Sequence, residues 1–225
     1  MSSETHVIFL SFQVALLATL LILPAGIFFG WLLSRKQFWG KSFLDALINI
    51  PLVLPPVVTG YFLLVLLGPN GFLGAPLKEY LGVTLAFSWH GAILAGGIVS
   101  LPLLVRSVRV AIESVDRGLE DAARMLYATE LSIFRRITLP LAIHGIVAGT
   151  VLAFARALGE FGATIIFASN IPGKTQTIPL AIFTLINQPG GESKVKVLVI
   201  ASIVFAYFSM LINEFLIRKL HHART

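Results

Sequence analysis

The sequence contains no cysteine among its 225 residues, so neither a disulfide scaffold nor a cysteine-ligated metal site is available to it. Charged residues are also scarce. Asp, Glu, Lys and Arg together make up 12% of the chain, against roughly a quarter of a typical soluble domain. This scarcity excludes a disordered chain, which needs abundant charge, and it excludes an ordinary cytosolic enzyme.

Long apolar runs take the place of charge, because hydrophobic residues make up 56% of the sequence. A helix needs about 20 apolar residues to cross a bilayer. The runs predict one all-α, polytopic membrane domain covering residues 1–225. Its five spans are expected at about 7–33, 46–68, 85–105, 140–168 and 197–217. The first run is interpreted as a retained span and not a signal peptide, since no Lys or Arg precedes it.

The basic residues are distributed unevenly between the predicted connections. Of 17 Lys and Arg residues, 12 lie after the first span, in the segment 106–139 or in the tail after residue 217, whereas the other connections hold 4. Basic connections face the cytoplasm. The N-terminus is therefore predicted outside and the C-terminus in the cytoplasm. Membrane orientation accounts for the net charge of +6 without a nucleic-acid partner.

The second predicted span is rich in proline. It contains Pro51, Pro55 and Pro56, and proline inside a helix removes a hydrogen bond and clashes with the preceding turn. The first half of this span is therefore predicted to be irregular. Irregular backbone at membrane depth is tolerated only where protein or a watery cavity surrounds it. The segment is accordingly expected inside the helix bundle.

The predicted cytoplasmic loop, 106–139, is too polar to span a membrane and too short to form a domain. Asp116 is placed to cap a first short helix and Thr129 a second one. Apolar residues at three- and four-residue spacing would form one face of the first helix: Leu119, Ala122, Ala123 and Leu126. Periodicity alone leaves two interpretations, an amphipathic loop lying on the membrane or a helix that presents a face to a cytoplasmic partner.

Two stretches of this loop match a known signature. Asp121-Ala122-Ala123, followed at the matching spacing by Ile137-Thr138-Leu139-Pro140, resembles the EAA signature of ABC-importer permeases. Tyr127 stands at the signature's glycine, so we expect the turn there to be opened differently from the usual tight turn. The resemblance implies that the loop docks in a cleft of an ATP-hydrolysing subunit. It assigns this contact to Leu119, Glu120, Asp121, Ala122, Ala123, Leu126, Tyr127, Ile137, Leu139 and Pro140.

Other segments make the resemblance more specific. The stretches 49–58, 153–164 and 169–173 are similar to the oxyanion permeases for molybdate and sulfate, and the stretch 177–193 looks most like the molybdate subunit. The resemblance implies an ABC-importer permease (MetI-like) fold in the cell inner membrane, translocating molybdate. One alternative is a sulfate or tungstate permease of the same family. Another is a membrane-bound enzyme, but the sequence shows no credible catalytic site for one.

The same resemblance implies partners. A second copy of the chain would complete the pathway, separate ATPase subunits would use ATP and Mg²⁺, and an extracytoplasmic molybdate-binding protein would deliver the anion. Membrane lipid surrounds the assembly, and the chain itself is expected to bind no cofactor. No metal site is predicted either, because the five His residues are scattered. The stretch 168–175 fits a loose phosphate-loop pattern, but it follows an apolar span and not a β-strand, so we interpret it as a chance match.

Two charges lie within the fourth predicted span. Arg156 and Glu160 are four residues apart and so share one helical face. A charge inside a span costs several kcal/mol unless it is paired or hydrated. We favour a structural ion pair, and the alternative is that Arg156 draws an oxyanion to the outer mouth of the path. Gly159 and Gly162 are predicted to break the helix and expose N–H groups to an anion. The candidate path comprises Pro55, Pro56, Arg156, Gly159, Glu160, Gly162 and Thr164.

Overall fold

The computed structural model describes residues 3–222, and the side chains of residues 3–215. Within that range the chain is all-helical. Four described helices are long and apolar enough to cross a membrane. They are α1 (Ser3–Arg35), α5 (Trp89–Glu113), the continuous run of α7 (Glu130–Ile133), a π-helical turn (Phe134–Thr138) and α8 (Leu139–Leu158), and α11 (Glu192–His222).

A fifth candidate span is a bent pair of helices. It consists of α2 (Lys41–Val53) and α3 (Pro56–Leu67), whose axes meet at 114°. Four short helices complete the part of the chain that the structure describes: α4 (Gly74–Leu81), α6 (Arg117–Met125), α9 (Gly162–Phe167) and α10 (Ile178–Ile186). The predicted all-α class is confirmed, and the candidate spans number four or, with the bent pair, five.

The second span is broken within its first half, as predicted, but the break does not occur at Pro51. Helix α2 continues through Pro51 and ends at Val53. Leu54 then adopts an extended conformation, with φ −68° and ψ 144°. The cause is steric, since a residue that precedes a proline is driven out of the helical region. Pro56 occupies the first position of α3, where a missing N–H costs nothing.

Other helix bounds also differ from the predicted spans, and the continuous run that includes α8 begins at Glu130 instead of about residue 140. Helix α5 continues to Glu113, so residues 106–113 are helical and do not belong to a loop. In this extension Arg109 pairs with Asp45 of α2 at 2.8 Å and with Glu113 at 2.9 Å. Helix α8 ends at Leu158, and the rest of the predicted fourth span is a break followed by α9.

Helix α5 lies at the centre of the bundle, between α1 and α8. Small residues bring the three backbones close together. A Cβ atom added to Gly30 of α1 would lie 2.6 Å from Val108, and one added to Gly149 of α8 would lie 2.6 Å from Ser107. In contrast, most described side chains of α11 are exposed. This helix therefore forms an outer face of the bundle.

Candidate functional site

Helices α6 and α7 form a hairpin, residues 116–133, beyond the end of α5. Each helix begins at the predicted cap. The Asp116 carboxylate accepts a hydrogen bond from the N–H of Gly118 at 2.8 Å, and the Thr129 hydroxyl accepts one from the N–H of Ser132 at 3.3 Å. Both capping predictions are confirmed. The caps fix where the chain turns, and thereby which residues stand at the tip.

The turn between the two helices is a Schellman motif with a tyrosine in the glycine position. The N–H of Tyr127 donates to the carbonyl of Arg124 at 2.9 Å, and the N–H of Ala128 donates to that of Ala123 at 3.1 Å. Tyr127 has φ +58°, in the left-handed region, which costs an L-residue about 1–2 kcal/mol. The expectation of a differently opened turn is wrong, because the tyrosine adopts the conformation that glycine usually provides.

Large apolar side chains are exposed at this tip. Met125 is 81% exposed, Leu126 82% and Tyr127 96%, and Leu119 is half exposed on the same short helix. Ala122 is also exposed, whereas Ala123 is partly buried. Exposed apolar side chains of this kind on a polar helix are typical of a contact site. We call Met125, Leu126 and Tyr127 the hairpin tip.

Charged side chains brace the hairpin next to its tip. The Arg124 guanidinium donates two hydrogen bonds to the Glu130 carboxylate, at 2.7 and 3.2 Å, and one to Asp121 at 2.6 Å. The bonds to Glu130 and Asp121 raise the pKa of Arg124 above its usual value. Asp121, which stands at the acidic position of the EAA-like stretch, thus has an internal partner. The bridge ties α6 to α7 and sets the position of the tip.

Glu120, which the resemblance assigned to the contact with an ATPase subunit, is buried. Its side chain is only 3% exposed, and it forms an ion pair with Arg35 of α1 at 3.0 Å. The hydroxyl of Thr138 donates to the same carboxylate at 2.6 Å, and Arg35 also donates to the carbonyl of Val115 at 3.0 Å. Glu120 is therefore buried at the base of the hairpin, where it connects α1, the end of α5, α6 and the π-helical turn. Of the remaining assigned residues, Ile137 lies in the π-helical turn, and Leu139 and Pro140 are the first two residues of α8.

Sequence reasoning missed Arg35 and Thr138 as members of this cluster. Arg35 is 85 residues from Glu120, and no periodicity links the two positions. The sequence held one weak indication. Glu120 lies in the first turn of a short helix, on a different face from its neighbour Asp121, and a carboxylate that becomes buried requires a cation or several hydrogen bonds. This rule predicts that Glu120 has a partner if it is buried, but it does not identify the partner.

The fourth predicted span breaks as expected at its two glycines. Helix α8 ends at Leu158, Gly159 caps it, and α9 begins at Gly162. Arg156 donates to Glu160 at 2.6 Å, so the predicted ion pair is confirmed. The Arg156 side chain is 30% exposed, whereas that of Glu160 is 2% exposed.

The second oxygen of Glu160 caps the helix that follows the break. Glu160 Oε1 accepts a hydrogen bond from the N–H of Ala163 at 2.8 Å. This N–H was expected to face an anion, and the structure instead gives it to an internal carboxylate. Glu160 therefore has two roles. It neutralises the charge of Arg156, and it accepts a hydrogen bond from a backbone N–H at the start of α9. Both interactions are local and hold the break in one conformation.

The breaks of the second and fourth spans meet in space. A Cβ atom added to Gly162 would lie 2.8 Å from the Cβ of Pro56, and one added to Gly60 would lie 2.7 Å from the carbonyl oxygen of Ala163. Helices α3 and α9 thus pack with their backbones in contact. Of the other candidate path residues, Thr164 is buried, whereas Pro55 and Gly159 are exposed. The structure brings these segments together, and their use as a path stays a prediction.

Two further features bear on ligands. Among the residues that the structure describes, no group of three or more His, Asp or Glu is placed to hold a metal ion.

The stretch 168–175 is a connection between α9 and α10, where the Thr175 hydroxyl accepts from the N–H of Ile171 and donates to the carbonyl of Ser169, both at 2.9 Å. That hydroxyl is committed to loop structure, in keeping with a chance match to the phosphate-loop pattern.

The fold and the hairpin agree with the comparisons. Residues 22–222 match the family described as the binding-protein-dependent transport system inner membrane component. The chain belongs to this family. This inner membrane component is therefore a transport subunit and not an enzyme, as the EAA-like stretch predicted.

Relatives of this inner membrane component include two molybdenum permeases. It is 56% identical over 215 residues to the molybdenum transport system permease protein ModB of Escherichia coli K12, covering 96% of this chain and 94% of that one. The ModB protein of Haemophilus influenzae is 48% identical over 217 residues, with 96% and 95% covered. The sulfate transport system permease protein CysT of Salmonella typhimurium is 36% identical over 185 residues, with 81% and 66% covered.

Solved structures support the fold of the inner membrane component. An inward-facing MetNI methionine ABC transporter aligns with a TM-score of 0.69 at 15% identity, covering 97% of this chain and 94% of that one. A bacterial alginate ABC transporter aligns with a TM-score of 0.73 at 17% identity, covering 99% and 80%. The predicted ABC-importer permease fold is confirmed.

Proposed function

We propose that this chain is the permease subunit of an ATP-driven importer that carries molybdate into the cytoplasm. The observation that supports this most strongly is the 56% identity to the E. coli molybdenum permease across 96% of the chain. Identity to the sulfate permease is lower, at 36%, and that relative is matched over only 66% of its length. Sulfate transport is accordingly the second candidate.

The proposed complex contains two copies of the chain, two ATPase subunits and an extracytoplasmic molybdate-binding protein. A second copy would complete the pathway, because α5 fills the centre of the described bundle between α1 and α8. The largely exposed α11 offers an apolar face to lipid or to the second copy. The N-terminus lies outside and the C-terminus inside, in line with the basic residues of the connections.

In this proposal the chain performs no covalent chemistry and binds no cofactor. A separate subunit binds and hydrolyses ATP with Mg²⁺, and it contacts the hairpin of α6 and α7. Motion of the hairpin passes through the Arg35–Glu120 pair to α1 and through the π-helical turn to α8. Helices α1, α5 and α8 form one packed body, so such a motion shifts the bundle as a unit.

The proposed path for the anion runs beside the meeting point of α3 and α9. Arg156 and Glu160 keep the break between α8 and α9 in shape, and their primary role is structural. The alternative role of Arg156 is to attract the oxyanion, since its side chain is partly exposed. Pairing with Glu160 cancels much of its field, which is why the structural role is preferred.

Anion competition tests the proposed substrate. Proteoliposomes containing the permease, its ATPase and the binding protein are loaded with ATP and supplied with radiolabelled molybdate outside. Unlabelled tungstate should reduce molybdate uptake strongly, because the two anions are nearly equal in size and charge. The same excess of sulfate should reduce it little. Equal inhibition by sulfate and tungstate would favour a general oxyanion permease over a molybdate importer.

A further inference from the structure

The hairpin tip carries a side chain whose backbone conformation is unfavourable. Three described residues other than glycine have positive φ: Phe87, Tyr127 and Ser169. Ser169 is partly buried, and Phe87 is 44% exposed and donates its N–H to the carbonyl of Phe167 at 3.0 Å, so each keeps contacts within the chain. Tyr127 is 96% exposed, and its ring therefore has almost no packing within the chain to offset its strain. Glycine would form the same Schellman turn without strain.

Strained residues persist where they serve a function, and here only the side chain distinguishes tyrosine from glycine. The backbone hydrogen bonds of the turn, from Tyr127 to Arg124 and from Ala128 to Ala123, do not depend on the ring. A role for Tyr127 must therefore lie in what the ring contacts outside this chain. Exposed Tyr residues surrounded by apolar neighbours are frequent binding hot spots.

The surroundings of the ring favour a protein partner over the membrane surface. Met125 and Leu126 precede it in the chain and are equally exposed. The carboxylates of Asp121 and Glu130 lie within a few residues of the tip, with side chains 68% and 51% exposed. Arg124, the cation beside the tip, is paired with both carboxylates and is therefore not free to bind an anionic lipid surface. An apolar pocket in a protein admits the three side chains and leaves the charges at its rim.

We propose that Tyr127 is an anchor residue, whose ring inserts into an apolar pocket of the ATPase subunit beside Met125 and Leu126. This inference rests on the proposed function, because it takes the ATPase to be the partner of the hairpin. It adds the residue that carries most of the affinity. It also explains why a strained tyrosine is present at a position that suits glycine.

The test measures stability and affinity on the same variants. The purified permease in detergent is compared as wild type, Tyr127→Gly, Tyr127→Phe and the control Tyr80→Gly. Tyr80 is 81% exposed on α4, outside the hairpin. Each variant is melted alone, and its dissociation constant for the ATPase subunit is measured on an immobilised permease.

The proposal predicts that Tyr127→Gly makes the permease more stable but weakens its binding to the ATPase subunit. Its melting temperature should rise by about 2–4 °C, because the strain is relieved. Its dissociation constant should increase by about tenfold or more, because the anchor is lost. Tyr127→Phe keeps the ring and should bind like the wild type. Tyr80→Gly should leave the affinity unchanged.

Three outcomes would contradict the anchor role of Tyr127 or the proposed function. If Tyr127→Gly binds the ATPase as tightly as the wild type, the anchor role is wrong and the proposed function stands. If Tyr127→Phe binds as weakly as Tyr127→Gly, the hydroxyl and not an apolar contact carries the interaction, and the anchor in an apolar pocket is wrong. If the wild-type permease itself binds no ATPase subunit, the proposed function fails first.

Discussion

The guanidinium of Arg35 and the carboxylate of Glu120 form a buried ion pair that fastens the hairpin to the first long helix. Their side chains are 7% and 3% exposed, and the Nε–Oε2 distance is 3.0 Å. The Thr138 hydroxyl completes the carboxylate's hydrogen bonding at 2.6 Å. Helical segments from α1, α6 and the π-helical turn meet at this cluster, so it links α6 directly to the bundle.

Removing one member of this pair should destabilise the permease strongly. Glu120→Gln leaves the Arg35 charge buried without its partner, and such a change costs about 3–5 kcal/mol. Thermal unfolding of the purified permease measures the loss. Asp121→Asn, which weakens an exposed pair with Arg124, is the matched control and should cost less than about 1 kcal/mol. Equal melting temperatures for Glu120→Gln and the wild type would show that the pair does not hold the hairpin.

The second prediction concerns Arg156 and Glu160. If the pair is structural, Arg156→Gln leaves the buried Glu160 carboxylate unmatched and Glu160→Gln leaves the partly exposed Arg156 guanidinium unmatched. The protein level in the membrane should therefore fall in both, and further in Arg156→Gln. The double variant Arg156→Gln with Glu160→Gln should recover much of the level and of the transport. Protein level and uptake kinetics are measured for both singles and the double. A well-folded double variant whose uptake is no better than that of Arg156→Gln alone would assign Arg156 to the substrate path.

The close approach of α3 and α9 predicts that Gly60 cannot carry a side chain. In Gly60→Ala the new Cβ would meet backbone atoms of Ala163 at 2.7 and 2.8 Å, and backbone cannot move aside cheaply. We expect a loss of about 1–3 kcal/mol from overpacking, seen as a lower melting temperature. Gly159→Ala is the matched control, since its Cβ would meet only the Ala155 carbonyl at 3.8 Å. If Gly60→Ala melts like Gly159→Ala, the two broken segments do not pack as described.

The orientation argued from basic residues can be tested by labelling, and the absence of native cysteine makes the experiment clean. A cysteine replacing Lys78 or Lys174 should react with an impermeant thiol reagent added outside intact cells. A cysteine replacing Arg124 should react only after the cells are opened. Labelling of the Arg124 position in intact cells would reverse the proposed topology.

Sequence reasoning succeeded where the physics is local. The caps at Asp116 and Thr129 and the pairing of Arg156 with Glu160 each depend on residues within four positions of one another. Apolar runs likewise predicted the long helices, because lipid imposes a minimum length. The extension of α5 to Glu113 was missed because its charged residues resemble a loop, whereas Arg109 pairs there with Asp45 of α2.

The parts that could not be predicted depend on contacts between distant segments or on strain. Nothing in the sequence links Arg35 to Glu120, or Gly60 to Ala163, before the helices are placed. The conformation of the turn at Tyr127 was wrongly predicted for a different reason. The residue type argued against a left-handed conformation, yet the hydrogen bonds of the hairpin impose it. Propensity is a weak guide where tertiary structure fixes the backbone.

The most direct test of the proposed function is ATP-driven uptake of radiolabelled molybdate into proteoliposomes. The vesicles contain the permease with its ATPase subunit, and the binding protein is added outside. The account predicts accumulation of molybdate only when ATP is inside and the binding protein is present, and none in vesicles that lack the permease. Accumulation that persists without ATP or without the binding protein, or its absence when all components are supplied, would contradict the account.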